Sequence, residues 1–296
     1  MQLTELIGAL AVLSGALFVI SSMLGMGMGL TLAQILGPLK NARLVVLALV
    51  ANFALVPLLA WLITLVLPLD EPLRVGLLIL AASAGAPFLP KLVQGAKGDV
   101  GFAVGMMVLL MVGTVIYLPL VLPLLLQGVE VNAWAILKSL IGLMLVPLVV
   151  GLSIRAHSTD AGERWAKVMN RVSSISLLVL IVLGLGLNVS NIIDLVGSYG
   201  FLALLLFVGG TLSLGMLFGG RDRSVRSVMA LGTAQRNVSA AIVVATQNFA
   251  GTMTLPYVLV AAIVLLLVLL PTATRMGRGR EPAGTRPTDA ELVSSP

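Results

Sequence analysis

Leu231 to Phe249 reads LGTAQRNVSAAIVVATQNF. Its surroundings are apolar enough to cross a membrane, yet Arg236 stands near the middle, between Gln235 and Asn237. A charge at that depth costs at least ~2.5–3.5 kcal/mol on insertion scales, so it is normally paired, solvated or functional. Arg236 follows Arg226 by ~15 Å along a helix, which puts it near the centre of a ~30 Å hydrocarbon core. The rest of the chain decides what such an arginine does.

Of 296 residues, 59% are hydrophobic and only 10% are charged, and the mean hydropathy is +1.11. A soluble domain carries about 25% charged residues. Long apolar runs separated by short charged loops describe an all-α polytopic membrane protein, and the runs exceed the ~9–11 residues of a barrel strand. About nine spans of roughly bilayer length fit, near 6–28, 44–67, 73–96, 99–126, 133–154, 172–190, 198–217, 226–249 and 255–274. The first apolar run follows MQLTE, which has no basic region, and is longer than a ~7–15-residue signal core, so it reads as a retained span. There is no cysteine, which excludes disulfides and thiol chemistry.

The net charge of +6 does not indicate a nucleic-acid partner, because the basic residues are distributed as loop anchors. Alternate loops hold Lys40 and Arg43; Lys97; Arg155, Arg164, Lys167 and Arg171; Arg221, Arg223 and Arg226; then Arg275, Arg278, Arg280 and Arg286. The opposite loops hold Asp70, Glu71, Glu130 and Asp194. The positive-inside rule then predicts an N-terminus outside and a C-terminus in the cytoplasm. Residues 1–274 form the expected transmembrane domain, and the polar Gly- and Pro-containing segment 275–296 an expected disordered cytoplasmic tail.

A second interrupted span precedes Lys91. In AASAGAPFLPKLVQGAKGD, Gly85, Pro87 and Pro90 break a hydrophobic run, since proline lacks a donor and glycine adds backbone freedom. Lys91 is close enough to the following loop to snorkel. None of the twelve acids falls in the middle of an expected span. Two outcomes follow for Arg236: it bonds carbonyls of a broken helix, or an entering anion compensates it, aided by a half-helix N-terminus. The two interrupted spans run in opposite directions in the two halves of the chain. That pattern marks a secondary transporter with inverted repeats and a binding site near the midplane. The lone His157 reads as a solvated loop residue, and GMGMG at 25–29 as close helix packing rather than a nucleotide motif. No nucleophile–base or metal-ligand set indicates an enzyme.

The chain resembles the bile acid:sodium symporter family over nearly its whole length. The resemblance rests on GMGMGLTL at 25–32, VANFALVPLLAWL at 50–62, GAPFLPKLVQGAKGDVGFAVG at 85–105, VPLVVGLSIR at 146–155 and GTAQRNVSAAIVVATQNF at 232–249. The AKGD and QRN segments are its most specific parts. It implies the nine-helix variant of a ten-helix plan, with two crossed broken helices in a core domain and a panel domain that moves against it. It also implies organic-anion substrates, often carried with sodium. Sodium ligands of relatives fall here on Leu89, Pro90, Ala103, Met107, Gly232 and Arg236, so oxygen donors give way to apolar groups and a cation. Only Asn52 and Asn237 keep suitable oxygens. Like charges 4 Å apart repel by ~4 kcal/mol at an effective dielectric constant near 20, so the inherited sodium sites look unusable.

The expectation is a secondary active transporter of an organic anion, either a bile-acid-like molecule or a small carboxylate, in the cytoplasmic membrane. Lys91 and Arg236 would stand in for the missing sodium ions and attract the anion. The expected substrate or ion contacts are Lys91, Arg236, Asn237, Gln235, Asn52, Thr233 and Ser239, with helix breaks at Gly85, Pro87, Pro90 and Gly232. No metal site or cofactor is expected. Sodium or a proton is left open as coupling ion. The expected partners are the substrate anion and the lipid bilayer, with oligomeric state left open. The alternatives are an orthodox sodium symporter and a non-transporting membrane sensor or assembly protein.

Overall fold

A computed structural model of the chain describes residues 3–126, 132–186 and 199–278. Twelve α-helices account for nearly all of these residues. They are α1 (Leu3–Gly29), the short α2 (Leu32–Leu36), α3 (Ala42–Val66), α4 (Glu71–Ala82), α5 (Leu89–Gly95) and α6 (Val100–Leu125). Then follow α7 (Ala133–His157), α8 (Thr159–Gly186), α9 (Tyr199–Phe218), α10 (Arg223–Ala234), α11 (Val238–Asn248) and α12 (Thr254–Gly277). Among the described residues, eight stretches are long and apolar enough to cross a membrane, with α10 and α11 counted together. The remaining expected span is the pair α4 and α5, whose pieces are each too short to qualify.

Local chemistry sets many boundaries. Helices α6, α7, α10 and α11 each start at an Asx cap: Asp99, Asn132, Asp222 and Asn237 accept from backbone N–H groups of the first turn at 2.7–3.0 Å. Such caps satisfy donors that the first turn leaves free. The sequence Leu-Val-Pro-Leu occurs at 55–58 and at 145–148, and the first leucine of each copy ends a π-helical turn, Ala51–Leu55 and Ile141–Leu145. Proline cannot donate to the preceding turn, and the wider ladder absorbs the misfit.

Two boundaries differ from expectation. The sixth span begins at Thr159, not near 172, with only Ser158 between α7 and α8. Arg164, Lys167 and Arg171 are therefore helical residues, not loop residues. Good helix formers such as Ala, Glu, Arg and Lys propagate the helix past its apolar part. At the other end α12 continues through Gly277, beyond the expected boundary at 274. The rest of the tail, Glu130, Asp194 and the NVSNIID segment lie outside the described residues.

Helices α1, α7 and α8 pack chiefly on one another, while α3 to α6 and α9 to α12 form a second group. Gly27 and Gly151 let α1 and α7 touch backbone to backbone: a Cβ on Gly151 would lie 2.6 Å from the Leu24 carbonyl oxygen and 2.9 Å from the Met28 nitrogen. The expected close packing at GMGMG is thus observed. The apolar core divides into two clusters. One contains α4, α11 and the halves of α6 and α12 beside them; the other contains α5, α10 and the opposite halves. Between them lies a polar seam of fully buried residues, Asn52, Ser83, Thr114, Thr233, Arg236 and Asn237.

Candidate functional site

The seam is where the two broken helices meet. Helix α4 ends at Ala82 and α5 starts at Leu89; α10 ends at Ala234 and α11 starts at Val238. Gly85 sits in the first gap at φ 79°. A Cβ there would collide with the backbone nitrogen of Met111, so both its conformation and its surroundings require glycine. Pro87 also lies in the gap. Pro90 lies in the first turn of α5, where its missing N–H costs nothing. The expected break at Gly232 is corrected: Gly232 is helical, and the chain opens at Gln235 to Asn237. The capping of α11 by Asn237 locates that opening, not glycine flexibility.

Breaking a helix in a membrane strands backbone groups that water cannot reach, and here each break supplies the other. The Asn237 N–H donates to the Ser83 carbonyl at 2.9 Å. Arg236 donates from Nε to Leu80 O (3.0 Å), from Nη2 to Ala81 O (2.7 Å), and from Nη1 to Thr233 O (3.0 Å) and Asn52 Oδ1 (2.8 Å). Four of the five guanidinium N–H groups thus bind oxygens on α3, α4 and α10. Sequence reasoning missed two further members of this network. Thr114 on α6 pairs its hydroxyl with both backbone groups of Ala84, at 2.9 and 3.0 Å, and the Ser83 hydroxyl bonds Ile79 O at 2.7 Å. A lone threonine in an apolar span carries no sequence signal for such a task.

Arg236 is fully buried, and no Asp or Glu is buried among the described residues. Its charge is compensated by helix ends. Leu80 and Ala81 lie in the last turn of α4, and Thr233 in the last turn of α10. A helix C-terminus carries about half a negative charge, so two of them match one guanidinium. Of the two outcomes open for Arg236, the structure shows the carbonyl-bonded one. The expected half-helix N-terminus is not what its guanidinium meets.

The other expected residues divide. Asn52, on the π-turn of α3, is buried and bonds Arg236, Ala48 O (3.0 Å) and, at 3.5 Å, the Thr233 hydroxyl. Gln235, Asn237 and Ser239 are buried beside the crossing. Two polar atoms there lack partners among the described residues, Gln235 Oε1 and Asn237 Nδ2. Lys91 is not in this group: it is exposed on α5, with its ammonium 5.5 Å from the centre of the Phe88 ring. The place opposite Gly232 is filled instead by Leu89 and Met106, whose atoms would lie 3.0 and 2.9 Å from a Cβ there.

The chain is 26% identical over 237 residues, 79% of its length, to the Arabidopsis thaliana protein named probable sodium/metabolite cotransporter BASS1, chloroplastic. It is 29% identical over 162 residues, 54% of its length, to probable sodium/metabolite cotransporter BASS2, chloroplastic, of Oryza sativa subsp. japonica. Both relatives bear the names of transporters, not enzymes. The matches span 59% and 37% of those relatives' own lengths. The model of the sodium bile acid symporter family matches residues 16–195. With two broken helices meeting in a buried polar seam, this multi-pass membrane protein belongs to the sodium bile acid symporter family.

Proposed function

We propose that the protein is a secondary active transporter that carries an organic anion across the cytoplasmic membrane without a sodium ion at the crossing. The observation that carries this reading is the Arg236 guanidinium. It occupies a cage of four oxygens, three of them backbone carbonyls at helix ends. Such an oxygen set suits a small hard cation, and a covalently attached cation needs no ion from solution. The apolar filling by Leu89 and Met106 opposite Gly232 supports the same reading at the second inherited site.

In this scheme α1, α7 and α8 rock against the remaining helices to give alternating access. Asn237 Nδ2, an unpartnered donor at the crossing, binds the anionic group of the substrate, and the unpartnered acceptor Gln235 Oε1 takes a protonated group of it. Arg236 contributes positive potential without touching it, and exposed Lys91 attracts the anion on approach. The N-terminus faces outward and the C-terminus the cytoplasm, following the basic loops. A second reading rests on the same orphan oxygen: Gln235 Oε1 serves as a ligand in a sodium-coupled symporter.

Uptake of labelled organic anions into proteoliposomes, with an inward sodium gradient or with potassium in its place, separates the two. Equal uptake in both salts supports the built-in cation. Uptake that requires sodium overturns it.

A further inference from the structure

The face of α8 that points away from the protein carries an unpartnered charge pattern. Arg164, Lys167 and Arg171 recur one turn apart and are all exposed. At 100° per residue they share one side of the helix. The same side continues with Ile175, Leu178 and Val182, which are 57%, 61% and 60% exposed. The opposite side is buried against α1, with Ala166, Ser173, Ser176 and Leu180 inside and the Ser173 hydroxyl on Phe18 O. Two acids are near. Glu163 is taken by Arg155 at 3.1 Å. Asp160, exposed one turn before Arg164, leaves the face with an excess of two positive charges.

We propose that this face binds an anionic phospholipid, with Arg164, Lys167 and Arg171 on its phosphate and its acyl chains along Ile175, Leu178 and Val182. The dimensions fit. Helix α8 has 28 residues, hence ~42 Å, so its basic turns extend past a ~30 Å hydrocarbon core into the headgroup layer. From Arg171 to Val182 is ~16 Å, about one leaflet. Trp165, 51% exposed, lies among the cations, at the level where indole rings prefer to sit. A second copy of the chain is the poorer occupant, because a two-fold contact on this face would set the three cations against themselves. The lipid would grip one of the three helices of the α1, α7 and α8 group, so bilayer composition would act on that group.

The test uses the full-length protein in vesicles of phosphatidylcholine containing a minority of phosphatidylglycerol, followed by gentle extraction and mass spectrometry of the retained lipid. Phosphatidylglycerol should be retained preferentially, by a factor of about five for each cation engaged. The preference should vanish in Arg164→Gln/Lys167→Gln/Arg171→Gln. These side chains make no hydrogen bond or ion pair among the described residues, so the variant should fold. Arg221→Gln/Arg223→Gln, which removes exposed charges elsewhere, should keep the preference. Equal retention of both lipids by the unaltered protein overturns the proposal. So does a triple variant that retains the preference, or a control variant that loses it equally. A change of oligomeric mass in the triple variant would point to a second copy and overturn it as well.

Discussion

Replacing Arg236 by glutamine is the sharpest perturbation of the crossing. It removes the donors that reach Leu80 O, Ala81 O, Thr233 O and Asn52 Oδ1. Hydrogen bonds from a charged group contribute ~1.5–3 kcal/mol each, so four together amount to ~6–12 kcal/mol. Two effects reduce the net loss. Removing the guanidinium also removes its desolvation cost, and the new amide can re-bond one oxygen. The expectation is therefore that of breaking a buried charge arrangement, ~3–5 kcal/mol. For a chain of this size that lowers the melting temperature by about 5–8 °C. The assay is thermal unfolding in detergent, in choline chloride and in sodium chloride. Unaltered protein should melt at the same temperature in both salts. Arg236→Gln should melt lower in choline and recover part of the loss in sodium, because the vacated oxygens then accept the ion. Equal stability of variant and unaltered protein in choline would refute the role of these bonds in holding the crossing. Stabilisation of the unaltered protein by sodium, greater than that of the variant, would refute the idea that the arginine fills a cation's place.

Thr114→Val keeps the shape but leaves the Ala84 backbone unpaired, and should cost ~1–3 kcal/mol in unfolding experiments, with Thr114→Ser restoring it. Gly85→Ala should cost at least ~1–2 kcal/mol from the left-handed backbone alone, with the collision against Met111 added; the measurement is the yield of folded protein. Lys91→Gln should change stability by less than ~0.5 kcal/mol, as an exposed substitution does, while raising the half-saturating concentration for anion uptake several-fold. Gly151→Val should separate α1 from α7 and lower the melting temperature, whereas Gly142→Ala, with open space at its Cβ, should leave it unchanged.

Much of the architecture was legible in the residues. Span positions follow from hydropathy because a bilayer imposes a length on every apolar run. Two interruptions were visible, but their positions were not equally so: the first lies at Gly85 and Pro87 as expected, whereas the second, expected at Gly232, lies at Gln235 to Asn237. What failed, failed for identifiable reasons. Gly232 reads as a break because glycine lowers helix propensity, yet tertiary packing against Met106 and Leu89 is what it serves. Hydropathy puts the start of α8 near 172, thirteen residues past its true start at Thr159, because it registers the apolar part of a helix and not its polar continuation. Lys91 and Arg236 look alike as intramembrane cations, but one is exposed and the other fully buried. That difference depends on neighbours far away in the chain.

The sequence by itself determined the solvent of this protein, the approximate placement of its apolar runs, and the presence of a cation that needed compensation. These are properties of composition and spacing, which act locally. Only the tertiary structure decided how that cation is compensated. The oxygens around Arg236 come from α3, α4 and α10, from residues as much as 184 positions away. Backbone carbonyls are the same in every residue, so no side-chain pattern announces which of them a broken helix will leave free, or which guanidinium will reach them.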